Sequence, residues 1–267
     1  MSRAVDYDQV AAKFDRRYTD VGFEGIERAI VAFVGSDTGT RVLEVGCGTG
    51  QWLSILDRLG FSVTGVDPST QMLVLAKAKV PRAILKAGLA HQLPLDECSL
   101  DRILCINAIH HFPRKMEFLS EARRVLRAGG GLMIVGLDPA RGLDRWFVYD
   151  FFEGCLEADR CRYPSTFQIE EWLVAAGFSK CRTNLIHHLL RNFPAREALS
   201  SGLLQKTMVS QLTLLTDAKY QEGIERIRQG LQDAESRGEP FMLTVDLRFY
   251  ETTAWVKVTD EDTHEVV

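Results

Sequence analysis

A chain of 267 residues, 46% of them hydrophobic and 25% charged, suits one large globular domain or one domain with an insertion. The net charge of −4 advertises no nucleic-acid partner, the small cluster of Arg123, Arg124 and Arg127 suiting either a solvated helix face or a local basic patch, and no apolar run is long enough to span a bilayer. The six cysteines show no C-x-x-C spacing and no metal-ligand set, and the polar start at residues 1–6 has no secretory pattern, so a cytoplasmic setting is expected.

In chain order, residues 8–18 place Val10 and Phe14 on one helical face, and a second helix covers 24–34. A strand at 41–45 leads into the glycine loop 46–50 and a helix over 51–59, which Gly60 stops. The next strand, 61–66, ends at Asp67, and Pro68-Ser69 open a helix that runs to about residue 79. Strands at 82–86 and 100–106, a helix at 115–126, and a turn at Gly129-Gly130-Gly131 into a strand at 132–136 complete the regular part. Strands alternating with helices over short loops predict an α/β fold, with a mostly parallel sheet carrying helices on both faces and ligands at its carboxyl edge.

The pattern then loosens. An aromatic stretch around 139–165 holds Trp146, Phe147, Tyr149, Phe151, Phe152 and Tyr163, which suit either a lid over an apolar ligand or the core of an insert. A helix at 165–176, a strand at 181–189, a helical segment at 194–236 and a strand from 241 to 250, continuing to about 258, follow. Leu203, Leu204, Met208, Leu212 and Leu215 suit a lid or a dimer face. The expected organisation is a helical cover over 1–40, a core over 41–190, a helical insertion over 191–240, the last strands of the sheet at 241–258, and a polar tail at 259–267.

Glu44-Val45-Gly46-Cys47-Gly48-Thr49-Gly50 is the most informative stretch. Glycine permits backbone angles that a Cβ forbids and lets a ligand approach the main chain. A Walker loop needs Lys and Ser or Thr after its last glycine, whereas Gln51-Trp52 stand here. A dinucleotide loop spaces its glycines G-x-G-x-x-G, whereas this one reads G-x-G-x-G, and Trp52 would crowd a pyrophosphate. A nucleoside without phosphate fits the remaining option. Asp67, at the end of the second strand, would accept hydrogen bonds from two ribose hydroxyls; the alternative is a helix cap.

These residues, with Val66-Asp67-Pro68-Ser69, Ala108-Ile109-His110-His111-Phe112 and the block from Glu121 to Gly130, resemble the ordered motifs of class I S-adenosylmethionine (SAM)-dependent methyltransferases. The resemblance is strong over about 7–136 and weak over 166–178. It implies a Rossmann-like, doubly wound sheet of seven strands with a helical insertion before the last. It implies SAM as cofactor and S-adenosylhomocysteine as product. It further implies that Glu44, Gly46, Cys47, Gly48 and Gly50 face the methionine end, that Asp67 holds the ribose, and that Pro68 and Met72 pack near the adenine. The main chain of Asn107 would meet the methionine amino group, and Tyr7, Phe14 and Tyr18 would cover the cofactor. Many relatives carry Gly-Asp-Ala where this chain has Gly88-Leu89-Ala90; Leu89 cannot read the adenine amino group, which leaves the main chain of Ala90 and a water as substitutes.

His110 and His111 follow the fourth strand, and Asp138 follows the fifth, at the same sheet edge. A histidine partnered by an acid there can act as general base; the alternative is that the pair shapes the pocket floor. The expected function is methyl transfer to O, N or C of a small-molecule acceptor, apolar or aromatic in character, by a monomer or homodimer with no nucleic-acid or membrane partner. Two other functions compete: a SAM-binding protein that performs regulation or other chemistry, and a nicotinamide oxidoreductase, which the glycine spacing disfavours.

Overall fold

The computed structural model describes residues 22–258. The expected helix at 8–18, with Tyr7 and Tyr18 beside it, and the tail at 259–267 lie outside the described residues. Helix α1 (Glu24–Val34) leads to β1 (Arg41–Val45), α2 (Leu53–Arg58), β2 (Ser62–Asp67), α3 (Thr70–Lys79), β3 (Ile84–Ala87) and β4 (Leu100–Ile106). Helix α4 (Lys115–Val125) then runs straight into β5 (Leu126–Leu137). β1 pairs in parallel with β2 and β4, β2 with β3, and β4 with β5. Val, Leu and Ile dominate these short strands, because a sheet covered on both faces has no solvent side.

The second half is antiparallel. After the two-residue β6 (Arg145–Trp146) come α5 (Phe147–Phe151), α6 (Cys155–Arg162) and α7 (Thr166–Ala175). Ser165 caps α7 in a reciprocal box with Gln168. β7 (Phe178–Pro194) pairs along nearly its whole length with β8 (Met242–Val256), and between them lie α8 (Ala195–Ser201), α9 (Ser210–Thr213) and α10 (Asp217–Ser236).

The strand order is β3-β2-β1-β4-β5-β8, with β7 on the far side of β8 and β6 beside β8 as an eighth strand. β5 pairs with the 249–255 part of β8 and β6 with Val245 and Asp246, so β6 extends the edge where β5 stops. That short piece accounts for the difference from the expected seven strands. Two other boundaries also move. Gly129-Gly130-Gly131 lie inside β5 rather than in a turn before it; a Cβ on Gly131 would come within 2.8 Å of the Trp255 ring and 3.0 Å of Phe33, which cross it there. β7 continues through Pro194, so the helices of the insertion begin at Ala195.

Candidate functional site

At the carboxyl end of β1 the chain turns through Gly46 and Gly48, with φ of +75° and +50°, a region that favours glycine. The N–H groups of Gly46 and Cys47 both donate to the Val66 carbonyl, at 2.8 and 3.2 Å, which fixes the loop to the tip of β2. A Cβ on Gly46 would fall 2.6 Å from that of Ala108, so the segment after β4 approaches as closely as a bare backbone allows. Gly50 is used differently: a Cβ there would press on Ala76 of α3 at 3.2 Å.

Asp67 sits where β2 ends. Its Oδ2 accepts the Gly48 N–H at 2.9 Å, and its Oδ1 accepts the Ser69 N–H at 2.9 Å. The cap of α3 is Ser69, whose Oγ accepts the Met72 N–H at 3.1 Å. Asp67 therefore braces the glycine loop against the start of α3 and does not itself cap the helix.

Glu44 is 1% exposed, and its Oε2 has no hydrogen-bond donor among the described residues. Burial, then the negative charge of Asp67, holds this carboxyl well above the ordinary range. A buried acceptor without a donor is costly, and a ligand that supplies an N–H or positive charge relieves that cost.

Glu44, Gly46, Cys47, Gly48, Asn107, His110 and His111 form the floor of a cavity of about 640 Å³. Asn107 is held at φ +50°, its N–H donating to the Val135 carbonyl at 2.8 Å. The walls are mostly apolar, with Arg191, Glu197, Ser201, Ser210 and Gln211 as their charged and polar members. Trp146, Phe147 and Tyr163 come from the aromatic stretch, Leu189 and Phe193 from β7, Leu243 and Val245 from β8, and Leu203, Leu204 and Met208 from the segment after α8. The aromatic stretch thus divides between the two roles it suited: Phe152 is fully buried in the core and stacks on Tyr220 instead. Gly50, Asp67, Pro68, Met72, Leu89 and Ala90 lie outside this cavity. Met72 and Ala90 are buried, whereas Pro68 and Leu89 are exposed on the β3 side of the sheet.

The two histidines stand in a 3-10 turn, Ile109–His111, closed by the His111 N–H on the Ala108 carbonyl at 2.9 Å. The His110 ring packs 3.9 Å from His111 and lies almost flat on Tyr163, 3.9 Å away at 12°. Asp138 corrects the expectation of a partnering acid. Its Oδ2 accepts from the Thr166 N–H and Oγ1, both at 2.9 Å, and from Arg141 Nε at 3.1 Å, so it fastens the start of α7. The chain leaves the sheet edge at Pro139 and carries this carboxylate under α7, away from the cavity lining.

Several lining residues escape a reading of motifs. Trp52 is 3% exposed and forms the wall beside the glycine loop, edge-on to Phe23 at 6.0 Å. Its place directly after the loop was the available signal. Glu197, Ser201, Ser210 and Gln211, the charged and polar lining groups of the helical insertion, carry no local signal.

Residues 43–134 match the family described as a methyltransferase domain. An uncharacterized methyltransferase of Synechocystis sp. is 32% identical over 149 residues, which cover 55% of this chain and 70% of that protein. A phthiotriol/phenolphthiotriol dimycocerosates methyltransferase of Mycobacterium leprae is 37% identical over 124 residues, 45% of this chain and 46% of that protein. Against such mycobacterial relatives the chain spans only 39–46% of their length. Among solved structures, a protein assigned as a methyltransferase from an antibiotic biosynthesis pathway in Anabaena variabilis overlays with a TM-score of 0.67 at 22% identity. That overlay covers 87% of this chain and 98% of the other, a likeness of fold.

Proposed function

This chain belongs to the class I SAM-dependent methyltransferases, and we propose that it transfers a methyl group to an oxygen, nitrogen or carbon atom of a small, apolar acceptor. One observation carries the reading: a single continuous cavity joins the buried Glu44 carboxyl at the glycine loop, whose Oε2 has no donor among the described residues, to the His110–His111 pair and to mostly apolar walls.

The residues present fit the cofactor. Glu44 Oε2 lacks a donor among the described residues, and the amino-acid end of SAM carries an ammonium group. Gly46 and Gly48 leave no side chain between ligand and main chain. When bound, SAM supplies a methyl group on a sulfonium, which leaves readily in a direct displacement. The chain's own task is then positioning and, where the attacking atom carries a proton, its removal. Glu44 and the Asn107 main chain would hold the amino-acid end, and Asp67 at the tip of β2 would hold the ribose. His110 or His111 would take the proton, without help from Asp138. With Leu89 exposed, adenine recognition would fall to the backbone near Ala90. The mostly apolar walls select an acceptor of matching character.

Mass spectrometry of purified protein should detect SAM or S-adenosylhomocysteine, and labelled SAM should methylate a component of a metabolite extract. Replacing both His110 and His111 by Ala should lower that turnover about 100-fold while SAM still binds. Undiminished turnover removes the base role, and no labelled product from any extract removes the transferase reading.

A further inference from the structure

Away from the glycine loop, the polar groups of the lid converge on one carboxylate. Asp159, on α6, is fully buried. Its Oδ1 accepts from Arg162 at 2.5 Å, and its Oδ2 accepts from the Tyr149 hydroxyl at 2.8 Å and from Gln211 Nε2 at 2.7 Å. An ionised carboxylate can only accept, so Gln211 must turn its amide nitrogen toward it. That leaves Gln211 Oε1 to accept the Ser210 hydroxyl at 3.2 Å, while Nε2 also reaches the Tyr163 hydroxyl at 3.5 Å. Tyr163 lies one helical turn after Asp159, its N–H donating to the Asp159 carbonyl at 2.8 Å. Its ring is the one stacked on His110.

We propose that Asp159 is a positioning residue, acting through Gln211 and Tyr163 to set the angle at which His110 faces the cavity. This rests on the reading of His110 as a proton acceptor given above. A purely stabilising role accounts poorly for the arrangement. Buried ion pairs lose much of their attraction to desolvation, and here Arg162 Nε is buried without a partner among the described residues. Apolar side chains would fill the space at lower cost. What the carboxylate provides is direction: it selects one orientation of the Gln211 amide, which locates the Tyr163 hydroxyl and, through the ring, the imidazole. Because α9 also brings Ser210 and Gln211 to the cavity wall, docking of the lid on α6 and alignment of His110 are one event.

Proton NMR of the whole protein reads the stack directly, since a ring lying flat on an imidazole moves its C–H resonances upfield. His110→Gln assigns the signals, and Tyr163→Leu gives their unstacked positions. Gln211→Met and Tyr163→Phe should each shift the His110 signals toward those positions, while calorimetry shows unchanged SAM affinity. Asp159→Asn should do the same; the two milder variants keep the test open if it fails to fold. A folded Gln211→Met protein whose His110 signals stay at the wild-type positions overturns the proposal, even if it melts earlier. Wild-type protein that binds no SAM counts against the transferase reading instead, and leaves the ring-shift result to be read by itself.

Discussion

Asp144, ahead of β6, accepts the Arg248 backbone N–H at 2.9 Å through Oδ1, while its Oδ2 is buried with no partner among the described residues. Burial outweighs that hydrogen bond and the Arg248 charge, and lifts the carboxyl from 3.8 to about 6. A folded-state value above the unfolded one means that the ionised form opposes folding. The stability tied to Asp144 is complete below 3.8 and is lost as pH rises through about 6. Asp144→Asn keeps an acceptor for Arg248 and removes the charge. In thermal melts followed by circular dichroism it should unfold later than wild type at pH 8 and together with it below pH 3.8. Equal melting at pH 8 would show that the charge carries no penalty. At this scale the glycine-loop part of the cavity floor was legible, because Glu44, Gly46 and Gly48 lie in one contiguous run. Asp138 misled because its partner, Thr166, lies 28 residues away. Gln211 was hidden for the same reason, its carboxylate partner being 52 residues distant.

Helix α10 depends on a spacing of its own elements that composition alone did not advertise. Gly223 and Gly230 lie seven residues apart on one face, and each receives a ring. A Cβ on Gly223 would fall 2.3 Å from the Phe152 ring, and one on Gly230 would fall 2.6 Å from Phe241. Alanine at 223 gains about 1 kcal/mol of helix propensity. Overpacking against a buried ring costs about 1–3 kcal/mol, and Phe152 is fully enclosed. Gly223→Ala should therefore lower the melting temperature, with a net loss of about 1 kcal/mol; a higher melting temperature would mean that the ring yields. The parallel strands were legible because their apolar runs end at glycine loops or caps. The full length of β7 was not, because its sequence is polar over much of an exposed edge and its pairing with β8 crosses the whole insertion. The glycines of β5 read as a turn for a related reason: the bulk they accommodate, Phe33 and Trp255, comes from distant segments.

At the scale of the whole molecule, two halves meet over the sheet edge. The parallel half supplies the floor of the cavity and the Trp52 wall, and the aromatic stretch together with the β7–β8 hairpin and its helical insertion supplies the other walls and the lid. Among the described residues no helix is long and apolar enough to cross a membrane. The division predicts separable defects. Leu204→Trp would fill part of the 640 Å³ cavity from the lid side, and should abolish methyl transfer while leaving SAM affinity near the wild-type value. Paired loss of both would mean that cofactor and acceptor are not held by different halves. We propose that the cofactor lies across the tips of β1 and β2, with Asp67 holding its ribose, and titration calorimetry reads that contact. Adding SAM to the wild-type protein should give heat, and folded Asp67→Ala should bind it about tenfold or more weakly, ~1.4 kcal/mol. No heat with the wild-type protein, or equal affinity in the variant, would contradict it.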